Sequence, residues 1–497
     1  MFKHTSLFKY MLALLLTLLT QQACKDADFL DVEPAFLTEE NYFLNEEEFE
    51  RSVRGVYAKM TDWYWFGNNS PLSPMWQLPG DDLTTLGDMP HEIFATLNSG
   101  EDRLSRYYKS TYELINRANV VLEKNAPSTV YKDLSLKNYH RGEALFLRGL
   151  AYYNLWNLFG TSPLVTERTK TIEQSTSPGT SGTQLLDQAI SDFAEAATLL
   201  PAAWNDLNRG RATKNAALGF QAKALVFRAS WNNANADYAA ALQAIGQLQN
   251  LSLMASFEDN FDPNTENNAE SLFEFQASQP GFDNVWLPND FGAPVGSMSA
   301  YWGFYENHWS LFGAPPIVAT QKLKNAFETE DPRKAVTMDA DGNIRKYVSK
   351  DVKTQSGVAS VNNPRILRYA DVLLLKAEAL VRSGGSVSEA LALVNQVRAR
   401  ARNMVPGGLV PADRPASADA AQVMTWIMEE RMIELAGEES RWFDLRRWHK
   451  AGLLLLNTAF FNSINSKISF DPGTHLLFPI PNNEIDLNPN VSQNPGY

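Results

Sequence analysis

The stretch GEALFLRGLAYYNLWNLFG, residues 142–160, decides the fold of this chain. Its small and apolar side chains recur at steps of three and four residues, which is the pattern of a helix with one buried face. The residues of this stripe are Ala144, Leu147, Ala151, Leu155 and Leu158. Gly160 is placed to end the helix, because glycine readily adopts the left-handed conformation that closes many helices. The stretch therefore predicts a long, buried helix between His140 and Gly160.

The same kind of stripe returns several times along the chain. The stretches that carry it are 186–200, 217–231, 238–248, 369–382 and 390–401. They come in pairs, and Tyr238 and Ala241, with the alanines around them, resemble the second helix of a tetratricopeptide repeat. The sequence therefore predicts a mostly α fold, with a tetratricopeptide-like helical-repeat scaffold, long irregular aromatic-rich loop insertions and few short strands.

Two segments interrupt the helical pattern, at residues 62–90 and 260–316, and both are rich in Gly, Pro, Asn and aromatic residues. Loops of this length in a compact domain are usually either functional or disordered. Their tryptophans are Trp63, Trp65, Trp76, Trp286, Trp302 and Trp309. Disordered segments are depleted in aromatic residues, so this composition favours functional loops.

The aromatic residues of these loops predict a saccharide site. A sugar ring has apolar C–H faces and a hydroxylated rim, so it needs flat aromatic platforms beside groups that donate and accept hydrogen bonds. The candidate ligand-binding residues are Trp63, Trp65, Asn68, Asp81, Trp286, Tyr301, Trp302, Tyr305 and Trp309. Any single tryptophan here could instead anchor its loop in the core. We expect at least two of the group to be exposed platforms, and spacing alone does not decide which.

The amino terminus has the features of an export signal. Lys3 and Lys9 precede a short apolar run at residues 11–19, which is too short to span a bilayer as a helix. Cys24, the only cysteine, follows directly and is the expected lipidation site. Two or more acyl chains would anchor the protein stably to a membrane. The exact cleavage position stays open, because Gln21 and Gln22 depart from the usual lipoprotein signal.

The net charge and composition of the chain argue against some classes of binding partner. Removal of residues 1–23 would leave about 474 residues (497 − 23), enough for a large core. The net charge of −13 becomes about −15 without the two amino-terminal lysines, and no cluster of Lys and Arg with interleaved aromatics is present. Nucleic acid is therefore a poor partner. One cysteine forms no disulfide within the chain, so packing alone must hold it together.

The charged residues near the carboxyl end indicate structure rather than catalysis. Glu430, Glu434 and Glu438 share one helix face at four-residue spacing, where like charges repel unless cations intervene. The expected cations are Arg431, Arg441, Arg446 and Arg447. Asp81 and Asp82 are adjacent, so we expect turn formers or hydroxyl acceptors. The six histidines are scattered without a zinc-binding pattern, and we expect no catalytic residues, no metal site and no cofactor.

Several short motifs, in order, resemble the SusD/RagB family of Bacteroidota nutrient-binding outer-membrane lipoproteins. They are CKDADFLDVEP at 24–34, GDD at 80–82, YELINRAN at 112–119, EALFLR at 143–148, GRATK at 210–214, DPR at 331–333, RYADVLLLKAEA at 368–379, ERMIEL at 430–435, RWFDLRRW at 441–448 and FPIP at 478–481. The match runs nearly end to end. Each motif alone is weak, and their order is what identifies the chain as a member.

The resemblance implies a surface-exposed lipoprotein of the outer membrane that binds glycan and delivers it to a SusC-like TonB-dependent transporter. The expected layout is a signal peptide at 1–23 and one SusD-like domain at 24–497. Its parts are the anchor and first helix at 24–61, an aromatic loop at 62–100, tetratricopeptide-like helices at 101–250, a ligand-binding insertion at 260–360 and C-terminal helices at 365–497. Three alternatives stay open: an all-helical secreted glycoside hydrolase or lyase, a peptide-binding member of the same family, and a structural or adhesion module.

Overall fold

A computed structural model of the chain describes residues 42–64, 72, 74–85, 87, 89–277, 305, 317–348, 360–438 and 440–497. The chain divides into two compact units, Met1–Glu48 and Phe49–Tyr497, and the second contains almost all of the described helices and strands. Within the part that the structure describes, no helix combines the length and apolar character needed to cross a bilayer.

Helices dominate the described chain. They are α1 Glu46–Lys59, α2 Thr61–Tyr64, α3 Pro74–Gln77, α4 Pro90–Ile93, α5 Asp102–Asn125, α6 Leu134–Leu158, α7 Ile172–Ser175, α8 Gln184–Leu199, α9 Lys214–Asn232, α10 Asn235–Ile245, α11 Gln321–Ala326, α12 Arg333–Thr337, α13 Tyr369–Arg382, α14 Val387–Arg402, α15 Ala420–Glu434, α16 Arg441–Lys450, α17 Thr458–Asn462 and α18 Asn482–Leu487. All of the stretches that carry a predicted stripe are helical, so the mostly α prediction is confirmed.

Among the described residues, four short strands form two antiparallel pairs. The strands are β1 Leu83–Thr85, β2 Ser271–Glu274, β3 Ile317–Ala319 and β4 Arg365–Arg368. Strand β1 pairs with β3, with Leu83 opposite Ala319, and β2 pairs with β4, with Ser271 opposite Arg368. Each pair therefore joins segments that are far apart in the sequence.

Helix α6 shows why the decisive stretch folds as predicted. The Asp133 carboxylate caps its first turn by accepting a hydrogen bond from the Ser135 N–H. Gly160 has a φ of +73° just beyond the last turn, as expected for a residue that ends a helix. At Gly149 a Cβ atom would lie 2.9 Å from Cε1 of Phe193 on α8, so the absent side chain lets the two helices approach closely.

The long helices pack as an array of neighbours. Helix α6 contacts α5 and α8, α8 contacts α9, and α9 contacts α10. Helix α10 then contacts α13, which packs against α14 and α15. The two halves of the helical pattern are therefore joined, and one hydrophobic core runs through both of them.

A buried charge network centred on Glu434 fixes the carboxyl-terminal helices. Arg333 Nη1 lies 3.0 Å and Arg368 Nη1 lies 2.7 Å from carboxylate oxygens of Glu434, and Arg400 also contacts this carboxylate. Burial alone would raise the pKa of Glu434, but Arg400, Arg368 and Arg333 together hold that pKa well below its usual value. Glu438 continues the network through Lys346 Nζ at 2.6 Å. The predicted buried ion network is confirmed.

The predicted cations of this network are wrong. Arg431 pairs instead with Asp371 and Asp444, each at 2.7 Å, and Arg447 contacts Glu378. Arg431 follows Glu430 directly, so its side chain leaves the helix about 100° away from the glutamate face. The cations that pair with the three glutamates are Arg333, Lys346, Arg368, Arg398 and Arg400. They lie on other elements, distant from the glutamates in sequence.

We predict that Glu434→Gln destabilises the fold by about 3–5 kcal/mol, because it leaves three buried guanidinium groups short of a countercharge. The measurement is the free energy of unfolding from urea titration at neutral pH. The matched control is Glu389→Gln, whose ion pair with Lys376 is exposed and should be worth less than about 1 kcal/mol. Equal effects from the two substitutions would contradict the role assigned to the network.

Candidate functional site

Most of the predicted ligand-binding residues lie outside the described residues. These are Trp65, Asn68, Trp286, Tyr301, Trp302 and Trp309, and the lipidation candidate Cys24 is outside as well. Their roles stay predictions. Trp63, Asp81 and Tyr305 are described, and all three are buried.

Trp63 is a core residue, so the expectation that it is an exposed platform is wrong. Its side chain is 1% exposed, and its ring stacks on Tyr107 with centroids 5.8 Å apart. Helix α2 follows α1 almost directly, and this single turn is buried as a whole. Packing the large indole against the helices removes more apolar surface from water than exposure would.

Tyr305 is also buried, at 0% exposure, and is not the exposed platform that we expected. Its phenol donates a hydrogen bond to the Gly437 carbonyl at 2.9 Å. It belongs to a second hydrophobic cluster with Ile344 and Met432. Tyr305 therefore holds the second aromatic segment to the carboxyl-terminal helices.

Asp81 has both oxygens occupied within the protein, so the expectation that it accepts hydrogen bonds from ligand hydroxyls is wrong. Oδ1 lies 2.5 Å from Arg441 Nε, and Oδ2 lies 2.6 Å from Lys322 Nζ. Burial alone would raise the pKa of Asp81, but Arg441 and Lys322 hold it at about 2. The Asp81 carbonyl also accepts a hydrogen bond from the Thr320 hydroxyl beside β3.

Asp82 behaves oppositely although it is the next residue. Burial, together with the charge of Asp81, raises the pKa of Asp82 to about 7. Its Oδ1 atom is buried and has no hydrogen-bond partner. Two carboxyl groups with pKa values pushed apart can serve as an acid and a base. Neither residue lines the internal cavity or the surface groove described below, so this pair gives no support to a hydrolase.

The two aromatic segments begin and end side by side. At their starts, the rings of Tyr64 and Phe275 stack with centroids 5.0 Å apart. At their ends, β1 pairs with β3, with Thr85 opposite Ile317. No local pattern in the sequence signals this arrangement, because both contacts join residues more than 200 positions apart. The described parts of the two segments therefore lie next to each other.

A small cavity lies beside Trp63 and Trp76. Its volume is about 50 Å³, and its lining includes Trp63, Trp76, Tyr107, Lys223 and Glu438. The indole N–H groups of Trp63 and Trp76 are buried without a hydrogen-bond partner. A cavity of this size holds a few water molecules, which would satisfy such donors, and it is too small for a sugar ring.

A larger groove of about 460 Å³ lies at the surface, lined by residues drawn from 202–215, 247–251 and 267–273. In this region the sequence offers the family motif GRATK at 210–214 and part of the second aromatic segment. The wall also includes loops between helices and part of β2, and their approach to one another has no local signal in the sequence. In the described residues, no group of three or more His, Cys, Asp or Glu is placed to hold a metal ion.

We predict opposite stability effects from amide substitutions at the two aspartates. Between about pH 4 and pH 7 the folded chain keeps the Asp82 proton that the unfolded chain has released, so stability falls as pH rises through this window. Asp82→Asn should therefore stabilise the chain at pH 8 by roughly 2–4 kcal/mol, at about 1.4 kcal/mol per unit of pKa shift, and have little effect near pH 4.

The control for that experiment is Asp81→Asn, measured by the same urea titrations. The lowered pKa of Asp81 contributes stability that is present at pH 8 and lost as pH falls from about 4 through 2. This substitution should therefore destabilise the chain at pH 8. Destabilisation by both variants at that pH would show that Asp82 is ionised and paired.

Two family models match the chain. Residues 300–497 match the SusD family, and residues 28–225 match a family described as starch-binding and associating with the outer membrane. Among curated relatives, SusD-like protein P2 of Formosa agariphila is 26% identical over 528 aligned positions, which cover 98% of this chain and 100% of that protein.

Solved structures share the fold. A SusD homolog from Bacteroides thetaiotaomicron superposes with a TM-score of 0.76 at 22% identity, covering 93% of this chain and 99% of that chain. Surface glycan-binding protein A from Bacteroides thetaiotaomicron, solved in complex with laminarihexaose, has a TM-score of 0.70 at 22% identity and covers 90% of this chain and 99% of that chain. The architecture of this chain is therefore that of these proteins over nearly its whole length.

Proposed function

The chain belongs to the SusD/RagB family, and from this premise we propose that it is a surface-exposed lipoprotein that binds oligosaccharide and delivers it to a SusC-like TonB-dependent transporter. The observation that carries the proposal is the pairing of the two aromatic segments at both of their ends. The described parts of the two sequences richest in platform candidates therefore lie next to each other.

Glycan binding is further supported by the relative that was solved with laminarihexaose, whose fold this chain shares. The family model that matches the amino-terminal half is described as starch-binding. Aromatic stacking supplies affinity for the C–H faces of a sugar, and amide or hydroxyl groups orient its rim. Within the proposal, the platforms are Trp65, Trp286, Tyr301, Trp302 and Trp309, with Asn68 as a hydrogen-bonding partner.

The proposed role is capture without chemistry. The described carboxylates of the carboxyl-terminal networks are occupied by arginine and lysine, so none of them is available to protonate a glycosidic oxygen. A glycoside hydrolase needs two carboxyl groups about 5 to 9 Å apart across the scissile bond. Incubation with a polysaccharide panel separates the classes: reducing-end release would support the hydrolase alternative, and binding without release supports capture.

We predict that Trp302→Ala weakens binding of the recognised oligosaccharide by about 1–3 kcal/mol, the scale of a stacked aromatic. Isothermal calorimetry with laminarihexaose and with starch, xylan and pectin oligosaccharides measures the change. The control is Trp426→Ala on α15, a half-buried tryptophan beneath Arg414, which should leave affinity unchanged. Unchanged affinity in a folded Trp302→Ala chain would remove this residue from the site.

We also predict that Cys24→Ala abolishes lipidation. Acyl chains contribute roughly 0.8 kcal/mol per buried CH₂, and only a cysteine at this position offers a thiol to carry them. Metabolic labelling with radioactive palmitate should mark the wild-type chain and leave the variant unlabelled. Labelling of the variant would overturn the proposed anchor, and loss of glycan binding by the purified variant would show a fold defect instead.

A further inference from the structure

The surface groove between residues 202–215, 247–251 and 267–273 has the size of a ligand site. Its volume of about 460 Å³ falls within the range of roughly 300–1,000 Å³ that is typical of small-molecule sites. Part of its wall, residues 267–273, belongs to the second aromatic segment, but none of the described candidate residues Trp63, Asp81 and Tyr305 lines it. It is therefore a candidate for a second binding site.

Trp204 gives the groove a fixed aromatic wall. Its indole N–H donates a hydrogen bond to the Ala212 carbonyl at 2.8 Å. The Arg211 guanidinium lies over its ring, 4.6 Å from the centroid, and Tyr139 packs against it edge-on. The side chain is half-buried and held from several directions, so it loses little conformational freedom when a ligand binds.

Side-chain amides supply the polar part of the wall, and they too are held in place. Asn215 donates to the Gln249 carbonyl at 2.7 Å and accepts from the Gln249 N–H. Asn267 and Gln276 exchange two amide hydrogen bonds of 2.8 and 3.0 Å. Asn215 and Asn267, which line the groove, each have donor and acceptor capacity beyond these bonds, which suits the hydroxyl groups of a saccharide.

Among the described residues that line the groove, one cation is left without a carboxylate partner. The described residues that line it include three cations and no Asp or Glu, in a chain with a net charge of −13. Arg211 is neutralised by Glu50 and Glu143, and Arg209 by Asp206. The ammonium group of Lys214 has no ion-pair or hydrogen-bond partner among the described residues and is available to a ligand.

The position of Lys214 strengthens this preference. It is the first residue of α9, where the helix dipole also favours negative charge. It is half-buried, so its charge is screened less than that of a fully exposed lysine. A free cation, a fixed indole and oriented amides together match an acidic sugar.

We propose that this groove is a second saccharide site, selective for an oligosaccharide that carries anionic groups, either uronic carboxylates or sulfate esters. The inference rests on the proposed function only in taking the ligand to be a saccharide. Lys214 pairs with the anionic group, Trp204 contacts an apolar ring face, and Asn215 and Asn267 hydrogen-bond to hydroxyl groups.

The test is calorimetry on the purified chain with three hexasaccharides. Hexagalacturonate is the carboxylate probe, a κ-carrageenan hexasaccharide is the sulfate probe, and laminarihexaose is neutral. We expect at least one acidic probe to bind, with an affinity that falls as salt rises. Lys214→Glu should weaken that binding by about tenfold or more, the scale of one charge-assisted hydrogen bond. Laminarihexaose affinity should not change.

The matched control is Lys170→Glu, the same charge reversal at an exposed lysine outside the groove. Failure of both acidic probes to bind, or equal effects of the two reversals, overturns the inference. Binding of inorganic sulfate with no oligosaccharide bound marks a plain anion site and overturns it as well. The two proposals can fail separately. The effect of Trp302→Ala on affinity for a neutral oligosaccharide tests the aromatic segments. The effect of Lys214→Glu on affinity for an acidic oligosaccharide tests the groove.

Discussion

The buried ion pairs of Arg368 tie the architecture together. Arg368 ends β4 and immediately precedes α13, and its guanidinium contacts Glu270, Glu434 and Glu438, each within 2.7 Å. Glu270 adjoins β2, which lies within the second aromatic segment, whereas Glu434 ends α15. One side chain therefore connects the base of that segment to two of the carboxyl-terminal helices. Loss of any one partner would leave an uncompensated buried charge, which is strongly destabilising. The relative positions of these elements are therefore hard to change.

Helix positions could be predicted from the sequence because their signal is local. The stripe of α6 repeats within the helix itself, and Tyr369–Arg382 has the predicted bounds. The ion network could be predicted only in part. Four-residue spacing identified the face of Glu430 and Glu434, but the partners come from other elements, and no property of those arginines in sequence distinguishes them from Arg431 or Arg447.

The aromatic residues show more clearly what cannot be predicted from the sequence. Composition marked the two segments, and the pairing of β1 with β3 supports their acting together, but composition does not separate an exposed indole from a buried one. Trp63 lies one turn after α1, and its ring stacks on Tyr107. The preceding helix therefore determines the position of this side chain. Tyr305 is buried because it reaches Gly437. Both residues anchor the segments whose other aromatics are proposed to bind ligand.

In the proposed capture role, the protein must also release the saccharide that it binds. Solved relatives share the fold at 22% identity, so the scaffold tolerates wide changes in sequence while keeping its architecture. The aromatic segments are attached to this scaffold at both ends, by Tyr64 and Phe275 and by β1 and β3. In the proposal, binding energy comes from stacking and hydrogen bonds at those segments, each worth about 1–3 kcal/mol. A ligand held by a few such contacts is specific enough to be selected and weakly enough bound to pass onward, because affinity is set mainly by how fast the complex dissociates.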